Sequence, residues 1–399
     1  MNEFMNTFPS REEAQVTLAN WRQPPFNRWG FQHVREIIPT VNIQSVFEEQ
    51  WQLPSVNSAI MKDLPFSDSK GGIIEFEQFL DITYTDAFVL IHQGQTVLEH
   101  YANGMDDSTP HILMSVSKSM LGLLAGVLVA EGMLNRDAEI AQYVPEIQES
   151  AFAEATVNDL LDMRTGVHFE EDYQALSGAI IEYRKATNWN PIGRNDDPTD
   201  LRTFLPTMKA RQGAHGGSFN YISPCTDLLG WVIERAASRR YADLFSELIW
   251  KPMGASNSAY ITVDRLGAPR AAGGMCMTAM DLARVGQLIV EGGCRDQKRI
   301  LPKEWLEDIV TSGDSDAWVD GSFRQYWPGR DMHYRSKWYV ERGPKPLLSA
   351  FGIHGQHLFV DCENAIVLAK FSSGPMPIDP DQILITSLAF DTIQNGLTG

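Results

Sequence analysis

The stretch His111-Ile-Leu-Met-Ser115-Val-Ser-Lys118-Ser-Met-Leu-Gly-Leu-Leu-Ala-Gly-Val-Leu-Val-Ala130 decides how the rest of the chain is read. Ser115 and Lys118 stand three residues apart, so a helix carries both on one face, about one turn from each other. After Lys118 the residues are Leu, Ala, Val, Gly, Ser and Met, with no charge until Glu131. A helix apolar on every side runs through a protein core. Its N-terminus then sits at the edge of a site, where unpaired first-turn N–H groups favour negative charge. A serine alkoxide, or an oxyanion formed on it, is stabilised there.

Working outward from this helix, two further stretches supply what a serine nucleophile lacks. A hydroxyl needs a base, and a buried amine whose pKa is lowered by desolvation can serve. Lys118 is the candidate. The Ser-x-x-Lys pattern resembles that of the penicillin-recognising serine hydrolases, and the resemblance implies a second proton carrier, a Tyr or in other branches a Ser, about a hundred residues downstream. Tyr221-Ile-Ser223 lies there, after Gly216-Gly-Ser-Phe-Asn220 and before a helix opened by Pro224. Tyr101-Ala-Asn103 and Tyr334-Arg-Ser336 have the same form, but the first closes a hairpin and the second falls in a polar stretch read as loop. The third element is Phe351-Gly-Ile353-His354-Gly-Gln356. Its backbone completes an oxyanion hole with the N–H of Ser115, and within Gly352–Gly355 the amide of Ile353 is the favoured donor.

A lone Ser-x-x-Lys is weak, because chance supplies about one in a chain of this length. Ser67-Asp-Ser-Lys70 is such a decoy: it follows Pro65 and runs into Gly71-Gly72, with no helix to orient the lysine. His354 and His357 invite a metal reading, yet residues three apart on a strand point to opposite faces. No metal and no cofactor is expected.

The chain has 399 residues, 43% of them hydrophobic, and a net charge of −18. That charge repels nucleic-acid phosphates and anionic membrane surfaces, so neither is expected as a partner. The four cysteines are scattered and form no Cys-x-x-Cys pair, and are read as free thiols. The N-terminal residues lack a basic segment followed by an apolar run, which argues against a secretory leader and for a cytoplasmic protein.

The pattern predicts an α+β fold. Residues 1–75 form an irregular arm, rich in Pro and Trp, packed over a body at 76–399. Within the body, 76–112 and 340–399 supply an antiparallel sheet, and 113–339 a lobe of helices and loops. Hairpins are expected around Gln93-Gly-Gln95 and Glu363-Asn364. Helices are expected at 224–238, 241–250, 278–291 and 380–394, with irregular stretches at 167–217 and 313–335.

Taken together, Ser115, Lys118, Tyr221 and the glycine-bearing strand resemble the serine β-lactamase-like superfamily. Further stretches are similar to the 6-aminohexanoate-dimer hydrolase family within it. They are Pro24-Pro25-Phe-Asn-Arg28-Trp29, Tyr84-Thr-Asp-Ala-Phe88, Glu171-Asp-Tyr173, Trp231-Val-Ile-Glu-Arg235, Ile261-Thr-Val-Asp264, Asp281-Leu-Ala-Arg-Val-Gly286 and Ile353-His-Gly-Gln356. The resemblance implies the β-lactamase/transpeptidase-like fold, a small ester or amide as substrate, an acyl-enzyme route, and a homodimer. It assigns Ser115 as nucleophile, Lys118 as base and Tyr221 as acid/base partner. It also puts Tyr173 and Trp189 in a substrate loop and Trp338 on the opposite wall, with His354 counted among the substrate-facing side chains. One departure concerns that loop: Arg184 stands where the resemblance calls for an acidic residue facing the substrate's amino end, with Glu182 nearby as a substitute. A cation does not pair with an ammonium, so the expectation is a carboxylesterase ahead of a nylon-dimer hydrolase. A β-lactamase or D,D-peptidase, and a non-catalytic binding protein on the same fold, are the other readings.

Overall fold

A computed structural model describes residues 4–56 and 60–399; the first three residues of the stretch read for a leader lie outside them. Two sheets and the Ser115 helix position everything that follows. In chain order the strands used here are β1 (Thr40–Ile43), β2 (Thr85–His92), β3 (Gln95–Tyr101), β4 (His111–Ile112), β5 (Ala259–Thr262) and β6 (Met275–Met277). They continue with β7 (Met332–Arg335), β8 (Trp338–Glu341), β9 (Leu347–Gly352), β10 (Gln356–Asp361) and β11 (Ile366–Ser372). The helices used are α1 (Val116–Ala130), α2 (Val157–Leu161), α3 (Ala179–Ala186), α4 (Pro224–Ala237), α5 (Ala279–Val290) and α6 (Pro380–Thr398).

The larger sheet is antiparallel with order β7-β8-β9-β10-β11-β2-β3. Both of its faces are buried, which is why its central strands read as continuous apolar runs. Val89, Ile91, Leu358, Val360, Val367 and Ala369 join the main core with Leu282 and Val285 of α5. Phe88, Leu90, Phe359, Ile366 and Leu368 point the other way, against Ile385, Ala389 and Phe390 of α6. The alternation along β2 follows from the two-residue period of a strand. The smaller sheet has the order β1-β5-β6-β4.

Helix α1 crosses the core, with Val116 through Leu128 all buried. Its glycines are spaced for close packing. A Cβ on Gly122 would lie 2.2 Å from the Ser336 carbonyl oxygen, and one on Gly126 2.4 Å from the Trp305 ring. The missing side chains let that turn and that indole reach the helix backbone, where Trp305 Nε1 donates to the Gly122 carbonyl at 3.1 Å.

Residues 1–75 are more regular than their composition predicts. β1 pairs with β5, and Trp21, Trp29, Phe31 and Val34 pack on Ile112, Met114, Trp189 and Tyr260. The stretch 167–217 contains α3 and a short helix at Leu201–Phe204, the latter opened by a capping box from Asp200 and Thr203. The stretch 313–335 contains a helix at Ser315–Val319 and strand β7. The large sheet thus takes two strands, β7 and β8, that begin within the segment assigned to the helical lobe. Short strands flanked by charged residues carry too little periodicity to be read from sequence. The helix expected at 241–250 begins as α-helix over Tyr241–Phe245 and continues as a wider turn over Ser246–Trp250.

Among the described residues, no helix is long and apolar enough to cross a membrane.

Candidate active site

The turn from β4 into α1 sets Ser115. Met114 adopts φ +45°, a left-handed conformation that costs a non-glycine residue energy, and it throws the chain from strand into helix. Gly352, at the end of β9, packs against this elbow. A Cβ there would meet the Leu113 carbonyl oxygen at 2.6 Å and Met114 Cβ at 3.1 Å. Only glycine lets β9 come this close, and the approach carries the amide of Ile353 to the same opening as Ser115. Neither the Ser115 N–H nor the Ile353 N–H donates to a protein acceptor among the described residues. Two such free donors beside one hydroxyl are the requirement for holding an oxyanion.

Ser115 is the N-terminal flanking residue of α1, yet its hydroxyl caps no backbone N–H. It accepts instead from Lys118 Nζ at 2.8 Å. The same ammonium donates to the Ala272 carbonyl at 2.7 Å. Lys118 is 1% exposed. Burial, joined by the nearby charges of Arg270 and Lys337, lowers its pKa to about 7, although Glu171 and Asp227 act in the opposite direction. An amine with a pKa near 7 is about half neutral at pH 7, and its neutral form can take a proton from a hydroxyl at hydrogen-bond distance.

Tyr221 enters from the segment ahead of α4. That segment is pinned by Asn220, whose N–H donates to the Met163 carbonyl at 2.7 Å and whose amide donates to the Val167 carbonyl at 2.9 Å. The phenol ring stacks on Phe323 at 4.4 Å, and Lys118 Nζ stands 4.9 Å from its centroid. Burial, aided by the Glu171 charge, pushes the phenol pKa above its ordinary value, while contacts with the Ser115 and Tyr339 hydroxyls favour the ionised form. The phenol therefore keeps its proton at neutral pH and can deliver it. Glu171 fixes the start of α4: its carboxylate accepts from both the backbone N–H and the hydroxyl of Ser223, and from the Tyr173 hydroxyl at 2.8 Å.

A second layer ties these groups together. Asp227, on α4, forms an ion pair with Arg270 and accepts from the Ala272 N–H at 2.8 Å. That anchors the residue whose carbonyl holds Lys118. Sequence reading missed Asp227, Arg270 and Ala272, because they are scattered along the chain and carry no spacing signal.

The cleft has two lobes that meet at Ser115, Tyr173 and Ile353. One, of about 690 Å³, is lined by aromatic side chains such as Phe323, Tyr326, Trp327, Tyr339 and Phe351. The other, of about 400 Å³, is polar and contains Glu171, Arg184, Trp189 and Arg270. Of the residues expected from sequence, Ser115, Lys118, Tyr221 and Ile353 come together, and Tyr173, Arg184 and Trp189 line the polar lobe. Trp338 does not reach the cleft. It is wholly buried, and its neighbour Tyr339 lines the cavity in its place. Successive residues of β8 face opposite sides, so an assignment off by one residue turns the side chain away. His354 does line the aromatic lobe, but its Nδ1 is bonded to the Gly374 carbonyl at 2.8 Å. Burial lowers its pKa to about 4, so it is a neutral wall. The decoys stay apart: Lys70 is exposed, Tyr101 donates to Glu99 at 2.8 Å, and Tyr334 lies in strand β7, not in a loop.

Comparison with known proteins gives the family. The beta-lactamase family model matches residues 76–390. The chain is 32% identical over 375 residues to the 6-aminohexanoate-dimer hydrolase of Paenarthrobacter ureafaciens, covering 94% of this chain and 91% of that protein. It is 26% identical over 181 residues to esterase EstB of Burkholderia gladioli, covering 44% and 45% of the two chains. A solved Bacillus anthracis structure, provisionally described as a 6-aminohexanoate-dimer hydrolase, superposes with a TM-score of 0.86 at 27% identity and 96% coverage of both chains.

Proposed function

Because the chain belongs to the beta-lactamase family and is a hydrolase of the ester- and amide-cleaving kind, we propose that it works as a serine hydrolase through an acyl-enzyme. Ser115 Oγ attacks the substrate carbonyl and gives its proton to Lys118. The backbone N–H groups of Ser115 and Ile353 hold the resulting oxyanion. Collapse of the tetrahedral adduct breaks the bond to the leaving group, which takes its proton from Tyr221. Lys118 passes its proton on to Tyr221. Water then attacks the acyl-enzyme and gives a proton to the Lys118–Tyr221 pair, and the second adduct collapses as Ser115 Oγ leaves and takes that proton back, freeing the acid.

One observation carries this reading: a buried amine with its pKa lowered to about 7 donates to the hydroxyl of Ser115 across 2.8 Å. Carboxylic esters are the favoured substrates, with amides next. The named relatives include an esterase and an amide hydrolase, and the polar lobe holds Arg184 where a linear amino-amide would bring its ammonium. A cytoplasmic setting belongs to the same proposal, supported by four cysteines that are all free thiols.

Nitrophenyl butyrate tests the reading. A burst of nitrophenol equal to the enzyme concentration is expected, followed by slower turnover. Ser115→Ala should lose the burst and about 10³-fold or more of the rate. Full turnover by that variant would end the assignment.

A further inference from the structure

The polar lobe is cationic in a protein that is otherwise strongly acidic. The chain has 51 Asp and Glu against 33 Lys and Arg, yet three guanidinium groups converge beside Ser115: Arg22, Arg184 and Arg270. Arg270 is neutralised by its ion pair with Asp227. The other two form no ion pair among the described residues. Arg184 is 7% exposed, and its bond is to a backbone carbonyl, that of Tyr173 at 3.0 Å. Arg22 donates to Asn190 Oδ1 at 2.6 Å, while its Nε is enclosed with no acceptor. The fields of Glu171 and Asp172 reach Arg184, but the oxygens of Glu171 are taken by Ser223 and Tyr173. Mutual repulsion is felt: burial, then Arg184 and Arg270, lower the Arg22 pKa to about 9.

Burying guanidinium groups without an ion-pair partner is costly. Part of the cost at Arg22 is offset by the rings of Trp21 and Trp189, whose centroids lie 5.6 and 5.7 Å from its guanidinium carbon. Arg184 has no such ring contact among the described residues. Two guanidinium groups without an ion-pair partner among the described residues line the same lobe as Ser115, and each is a planar donor fork suited to a carboxylate.

We propose that this lobe is a carboxylate subsite, and that the preferred substrates are esters or amides with a carboxylate on the portion entering it and an apolar group on the aromatic side. The inference rests on the serine-hydrolase reading above and narrows its substrate class. The carboxylate can belong to the acyl part or to the leaving part, and the two are separated by experiment.

The test uses matched esters on the full-length protein. For the acyl side, the mono-nitrophenyl ester of adipic acid is compared with nitrophenyl hexanoate and with the nitrophenyl ester of 6-aminohexanoic acid. For the leaving side, 4-butyryloxybenzoate is compared with its methyl ester. In one of the two arms the anionic substrate should exceed its neutral partner by about tenfold or more in kcat/KM, chiefly through KM. The ammonium ester should be the poorest of its set. Arg184→Gln and Arg22→Gln should each bring the anionic-to-neutral ratio towards one, Arg184→Lys should keep part of it, and added salt should erode it. Turnover without carboxylate preference in either arm, or a preference that survives both Gln substitutions, overturns the subsite and leaves the Ser115 reading standing. If the variants do not fold, inhibition of neutral-ester turnover in the wild type decides: adipate must inhibit more strongly than adipamide, and equal inhibition overturns the proposal. If the wild type turns over no ester at all, the serine-hydrolase reading fails, and calorimetric binding of adipate against adipamide then judges the subsite alone.

Discussion

Two buried lysines contact the same helix and have opposite surroundings. Lys118 projects from the first turn of α1 and donates to a hydroxyl. Lys337 sits in the two-residue turn joining β7 to β8, beside the middle of α1, and donates to the Leu160 carbonyl at 2.5 Å. Burial lowers both amines, to about 7 and about 8. Desolvation by itself therefore does not mark a base. What distinguishes Lys118 is a neighbour that can lose a proton and a cleft that admits substrate. The role of Lys337 is structural. Ser336 and Lys337 both have positive φ, in a turn that ordinarily calls for Asn and Gly. The turn is held because Ser119 donates to the Lys337 carbonyl at 2.7 Å, Asp162 accepts from the Ser336 N–H at 2.8 Å, and Gly122 leaves room for the Ser336 carbonyl.

The contrast is broken most severely by removing each amine in turn. Lys118→Met should lower kcat/KM for nitrophenyl butyrate by ~10²–10⁴-fold, the range for loss of the proposed general base, whatever the lost bond to the Ala272 carbonyl does to the melting temperature. Lys337→Met should keep activity within a few-fold at pH 9 and show its effect in thermal unfolding instead, since the Leu160 carbonyl loses its donor. Comparable rate losses in the two variants would erase the distinction drawn between them.

A smaller effect is the pH profile. In the proposed mechanism Lys118 must be neutral to accept a proton, and its pKa is lowered to about 7, so kcat/KM for a neutral ester should fall about tenfold per pH unit below that value and level off above it. Lys370 is held in the same range by burial, but its bonds go to the Thr83 carbonyl and the Ser372 hydroxyl.

The smallest effect sharpens the assignment. The Lys337 charge is among the influences lowering Lys118. Lys337→Met removes it, so the acid limb should move to higher pH by a few tenths of a unit. A limb that stays fixed would assign the titration to another group, with Lys370 first in line.

How far the site is legible in sequence depends on how each residue is placed. Ser115 and Lys118 are set by local helix geometry. Tyr221 is set by its position ahead of a helix start, and Ile353 by a glycine-bearing strand. Each leaves a short-range signature. Trp338 shows the limit: one residue of register on β8 separates the cleft wall, Tyr339, from the core. Strand β7, with Met332, His333, Tyr334 and Arg335, offers no clean alternation of apolar and polar residues and reads as loop. Arg22, Asp227 and Arg270 give no signal at all.

From sequence alone came the α+β class, the buried helix with its serine and lysine on one face, and the chemistry those two residue types permit. These depend on periods of two and 3.6 residues and on intrinsic reactivity, all of which are written into neighbouring positions. The tertiary structure alone decided that the Ala272 carbonyl holds the lysine, that Asp227 anchors Ala272 through its N–H, and that three guanidinium groups from distant segments meet at one opening. Those are contacts between residues tens to hundreds of positions apart. They exist only once packing has excluded water and brought the segments into register.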